Sequence, residues 1–171
     1  MTLRNLSLLF ISLFILAACG GGGGGSTTPP TAGCSPSTTN LCITVVGGKY
    51  VVQNSSSAGV SQKTLTLNAG TYTFDQTDSS NVTPAGAYGS ARIHQIGFST
   101  TSDGTFGGGS TYSTGVNTSG SPGSNGKTTI VIDASTPSTL YYYCVNHTGM
   151  GGRINIVIGN QSDQVEFTET N

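Results

Sequence analysis

The side chains able to do chemistry are few, and most stand together. Cys144, His147 and Met150 lie in the run Tyr-Tyr-Tyr-Cys-Val-Asn-His-Thr-Gly-Met-Gly-Gly, a Cys-x2-His-x2-Met spacing, with His94 upstream. The 171-residue chain holds 2 His and 2 Met, one of the methionines being Met1. Two imidazoles, a thiolate and a weak thioether form the ligand set of a blue-copper electron-transfer site. Soft sulfur suits Cu(I) and imidazole suits both oxidation states, so the ion can change charge with little rearrangement. Singly, each residue has a plainer reading: a histidine on a strand is usually structural or surface, and a cysteine beside aromatics is often core. Zinc is the main metallic rival, because His and Cys suit it too. The thioether, and copper's place in the affinity order, favour copper.

Such a constellation needs strands to assemble it. Past the N-terminal segments nothing has a helical period. β-branched and aromatic residues alternate with polar ones over 42–46, 49–53, 63–67, 70–75, 91–99, 128–133, 139–145 and 153–158. Gly, Asn, Asp, Ser and Pro cluster between these predicted strands. Many short strands with turn signals mean an all-β sandwich or barrel. In this reading Cys144 ends a strand, His147 follows within one tight turn, and Met150 returns beneath the metal. Gly149, Gly151 and Gly152 allow the bends. Side chains on a strand alternate faces, so His94 shares a face with Ile96 and Phe98, and Cys144 shares one with Leu140 and Tyr142. Both strand ligands are thus expected on core-facing sides.

The segment 140–152 resembles the copper-binding loop of the cupredoxins, in which a Tyr/Phe-rich strand ends in the ligand Cys and His and Met follow closely. The short spacing is similar to that of amicyanin, whereas plastocyanin-like proteins place more residues between His and Met. His94-Gln95-Ile96-Gly97-Phe98 resembles the family's first-ligand strand, usually His-Asn-x-x-Phe. The likeness spans roughly residues 43–158. It implies a Greek-key β-sandwich and one copper ion, with His94, Cys144 and His147 as the equatorial set and Met150 as the weak axial ligand. It also implies transient redox protein partners, electrons passing at the edge of the second histidine, and an electron path through Tyr143. Two positions depart from the pattern. Gln95 replaces the usual Asn, and Asn146 stands where the amicyanin and plastocyanin types carry Pro. Unlike Pro, Asn146 has a backbone N–H, which could point at the Cys144 sulfur.

Composition bounds the rest. Six Lys and Arg against seven Asp and Glu give a formal charge of −1, and 8% of residues are charged. Nothing resembles a basic stripe, so no nucleic-acid partner is expected. Arg4 and the apolar run 6–16, ending in Leu16-Ala17-Ala18-Cys19, resemble a bacterial lipobox. We therefore expect a lipoprotein signal peptide over 1–18 and a lipidated Cys19, the alternative being an ordinary cleaved signal peptide with a chance Cys. A Gly/Ser/Thr/Pro-rich tether then covers 19–41, the sandwich domain 42–158, and a polar tail 159–171. The resemblance to Gram-negative lipoproteins implies, with Gly20 after Cys19, a lipid anchor in the outer membrane of the cell envelope, and the domain is expected to be a monomer. Of 4 Cys, Cys34 and Cys42 are expected to pair in that oxidising compartment. The alternative, Cys144 in a disulfide, leaves an odd thiol. The segment 103–127 reads as a long surface connection, pinned by Phe106 and Tyr112, and 76–81 as a polar turn without evident chemistry.

Counting narrows the function classes. A multicopper oxidase or copper nitrite reductase needs further His ligands, and a Ser/His/Asp arrangement needs a His that is not a ligand. An electron carrier rather than an enzyme is expected. The rivals are a copper-binding chaperone or sensor, and a structural or adhesive surface domain on the same fold.

Overall fold

The computed structural model describes residues 33–85 and 92–159. The signal peptide, Cys19, most of the tether, Ala91 and the tail beyond Gly159 lie outside those residues. Among the described residues thirteen strands account for nearly all the regular structure: β1 Asn40–Val46, β2 Lys49–Asn54, β3 Ser57–Ser61, β4 Leu65–Asn68, β5 Gly70–Asp75, β6 Val82–Thr83, β7 Arg92–Ile93, β8 Ile96–Ser99, β9 Thr111–Tyr112, β10 Val116–Ser119, β11 Lys127–Ile132, β12 Thr139–Cys144 and β13 His147–Val157. Two short 3-10 turns, Ser79–Asn81 and Gly104–Gly107, interrupt them.

The all-β sandwich expected from the strand pattern is the fold observed. One sheet has the order β10-β11-β5-β1-β2-β3 and the other β4-β13-β12-β8-β9, while β6 and β7 form a separate two-stranded ribbon. Pairing is antiparallel except for β1 with β5 and β13 with β4. Alternating strands such as β4 and β11 put every second residue inside, as the two-residue period requires. Leu41, Ile43, Tyr50, Val52, Phe74 and Ile130 from one sheet meet Phe98, Leu140, Tyr142 and Ile154 from the other. Phe74 packs edge-on against Phe98 with ring centroids 5.1 Å apart. Truncating such a ring to Ala would cost about 3–5 kcal/mol.

The departures from the sequence reading are local. The predicted strand 91–99 is broken: β7 and β8 are separated by His94 and Gln95. The 103–127 segment is not a loose connection, for it carries β9 and β10, an edge strand of each of the two sheets. Tyr112 packs against the core as expected, whereas Phe106 is exposed (48%) and is not among the residues packed on the core. β3, made of Ser, Ala, Gly and Val, was not foreseen, because small residues on an edge strand carry little β signal. Cys34 and Cys42 form the expected disulfide, Cα–Cα 5.9 Å, which staples the entering chain to β1.

Candidate metal centre

Cys144 and His147 face each other across the turn Val145-Asn146, where β12 meets β13. The hairpin is irregular just beyond. Cys144 pairs with His147 and Tyr142 with Gly152, so residues 148–151 bulge opposite Tyr143 alone. A bulge of this kind re-aims side chains, and here it leaves Met150 only 2% exposed, in the same core cluster as Cys144. Gly149 adopts φ 70°, and a Cβ on Gly151 would lie 1.7 Å from the Tyr142 carbonyl oxygen. The glycines expected to allow bends are therefore needed at these two positions for different reasons: backbone conformation at Gly149, close approach at Gly151.

His94 is delivered by the break between β7 and β8, and a buried polar frame holds that break in shape. Gln76, fully buried, donates from Nε2 to the His94 carbonyl and to Asn81 Oδ1 (3.1 Å). Its Oε1 accepts the Ile96 amide (3.0 Å) and the Gln95 side chain (3.2 Å). The His94 amide donates to the Asn81 carbonyl (2.9 Å), and Asn81 Nδ2 donates to the Ile43 carbonyl (2.8 Å). Tyr50 closes the frame, its hydroxyl donating to the His94 carbonyl at 2.8 Å. Burial, and secondarily the neighbouring Cys144, push the Tyr50 phenol far above its usual range, so it stays a donor. Among the described residues no buried side-chain nitrogen or oxygen lacks a partner. A completed network of this kind rigidifies the segment it holds.

The three donor atoms converge. Cys144 Sγ lies 3.4 Å from His147 Nδ1 and 4.0 Å from His94 Nδ1, and the ligand atoms of all three residues fall within 4.8 Å of one another. An ion bonded to nitrogen at about 2.1 Å and sulfur at about 2.3 Å keeps those atoms roughly 3.5–3.8 Å apart at tetrahedral to trigonal angles. The two sulfur–nitrogen separations straddle that span, so His94, Cys144 and His147 could hold one metal ion. Protonation also fits. Burial, then His147, then Arg92 pull the His94 pKa below the ordinary value, which favours the neutral ring that binds metal. His94 Nε2 sits 3.0 Å from Thr83 Oγ1. A neutral ring donating there leaves the Nδ1 lone pair facing the sulfur.

Access is one-sided. His94 is 6% and Cys144 0% exposed, whereas His147 is half-buried between exposed Val145, Asn146 and Thr148. The His94 and His147 rings lie 4.7 Å apart, centroid to centroid. Tyr143 is fully buried against Gly97 and Gly104, its hydroxyl paired with Thr111 Oγ1 at 2.8 Å. Asn146 uses its side chain, donating to the Ile93 carbonyl at 2.8 Å. The segment 76–81, read as chemically silent, supplies the two frame residues Gln76 and Asn81. Only a run of amide and hydroxyl residues after a buried strand hinted at them. Compared with known proteins, the sequence matches no protein-family model and no curated protein.

Proposed function

We propose that this chain is a mononuclear type 1 copper protein of the cupredoxin kind, carrying single electrons between protein partners in a bacterial envelope. The observation that carries the reading is the convergence of one ligand atom each from His94, Cys144 and His147 within 4.8 Å of one another, in a chain with no other histidine. Copper bound there would supply the one-electron couple between its cuprous and cupric states. Cys144 provides the thiolate, His94 and His147 the imidazoles, and Met150 a weak thioether. The zinc alternative has only three strong donors and the thioether, an unusual set for a closed zinc site.

The chain's own residues account for the rest of the behaviour. The Gln76 frame keeps His94 in place whichever charge the ion carries, which lowers the reorganisation that slows electron transfer. Burial of Cys144 shields the thiolate from solvent. His147 alone reaches the surface, beside Val145, Asn146 and Thr148 and with Asp103 bonded to Thr148, a mostly neutral rim that suits brief docking over a modest interface. With both histidines engaged as ligands, neither serves as an acid or base, so the chain acts as a carrier and not a catalyst. Lipidation at Cys19 would hold the monomeric domain at the envelope on its tether.

Voltammetry of the copper-loaded domain tests the carrier role. A reversible one-electron wave and rapid exchange with a soluble redox protein are expected. Copper uptake without a reversible wave would favour a chaperone or sensor, and no uptake a structural domain.

A further inference from the structure

The bulge that carries Met150 is held by side chains distant in sequence. Asp103, between β8 and the turn Gly104–Gly107, accepts the Gly149 amide at Oδ1 (2.7 Å) and the Thr148 hydroxyl at Oδ2. Lys49, which opens β2, donates to the Gly149 carbonyl. Gln62, which follows β3, donates to the carbonyls of Gly149 (3.1 Å) and Gly151 (2.8 Å). Both residues flanking Met150 are therefore fixed through their backbones. An anion meets a peptide N–H, and a cation meets a peptide C=O of the same glycine. Charge-assisted bonds of this kind are stronger than neutral ones. The holding residues are themselves unusual. Asp103 and Gln62 are the two non-glycine residues with positive φ among those described, at 59° and 48°, a conformation that carries a cost.

We propose that Asp103, Lys49 and Gln62 form a clamp that sets how closely the Met150 thioether approaches the metal, and so tunes the centre without touching it. This rests on the copper reading above. A glycine-rich bulge left free would sample many backbone conformations, and the thioether would then approach over a range of distances. The clamp removes that freedom before the metal arrives. Asp103, Lys49 and Gln62 are positioning residues, and the bulge is the element they position.

The test uses two readouts. The first is amide hydrogen exchange at Gly149 in the metal-free full chain, which does not depend on copper. Asp103→Ala should accelerate it about ten-fold or more, with core amides such as that of Ile130 unchanged. Asp103→Asn, which keeps an acceptor and tolerates positive φ, should restore much of the protection. The second readout is the copper-loaded protein. Asp103→Ala and Lys49→Met should each shift the reduction potential while the thiolate-to-copper absorption persists. Gly149 exchange unchanged in Asp103→Ala overturns the clamp. Faster exchange with an unmoved potential overturns its tuning role. A chain that takes up no copper yet loses Gly149 protection retains the clamp as a fold element and overturns the copper reading.

Discussion

The side chain of Asn146 donates to the carbonyl of Ile93, 2.8 Å away, so the residue before one candidate imidazole ligand is tied to the residue before the other. A proline at 146 could not make this bond. Asn146→Ala should loosen both histidines together and weaken metal binding by about ten-fold, as loss of outer ligand contacts usually does. A competition titration against a chelator measures it. Affinity equal to the parent would mean that the tie is incidental.

Gln76 uses both its amide group and its carbonyl in the frame around His94. Gln76→Leu leaves the Ile96 amide and part of the His94 carbonyl without this partner in a dry interior. The expected cost is about 2–4 kcal/mol, read from denaturant unfolding of the metal-free protein. A loss within about 0.5 kcal/mol would show that the frame rearranges freely.

Metal removal should lower stability, because the ligands come from β12, β13 and the β7–β8 break and the ion binds the folded chain alone. At a free copper concentration about 1,000 times the dissociation constant the gain is about 4 kcal/mol. Calorimetry of loaded and stripped protein should therefore show the stripped form melting at the lower temperature. Equal melting temperatures with copper demonstrably bound would contradict this account.

Asp133 gives a pH dependence remote from the metal. The Ser135 hydroxyl (2.6 Å) and amide (2.8 Å) donate to its carboxylate and hold its pKa below the ordinary value. The folded state then binds fewer protons than the unfolded one in the acid range. The contribution is present above the ordinary aspartate pKa and is lost as pH falls through the depressed one. Asp133→Asn should flatten the acid limb of the stability profile. Superimposable profiles for Asp133→Asn and parent would show that the turn contributes nothing.

What the sequence made legible follows from chain distance. Cys144, His147 and Met150 lie on one hairpin, so their spacing alone suggested a site. His94 needed the resemblance, since strand parity says little there: β8 is buried on both faces, and the strand breaks at His94 itself. Gln76, Asn81, Asp103 and Lys49 were not legible, since their value lies in hydrogen bonds to backbone groups far along the chain. β9 and β10 were hidden in Gly- and Ser-rich sequence because edge strands depend on pairing more than on propensity.

The most direct test of the central claim is titration of the stripped chain with Cu(II), followed by visible absorption. One ion per chain should be taken up, with an intense blue thiolate-to-copper band that bleaches on reduction, returns on reoxidation, and is absent in Cys144→Ala. Failure to bind copper, or an undiminished band in Cys144→Ala, would contradict it.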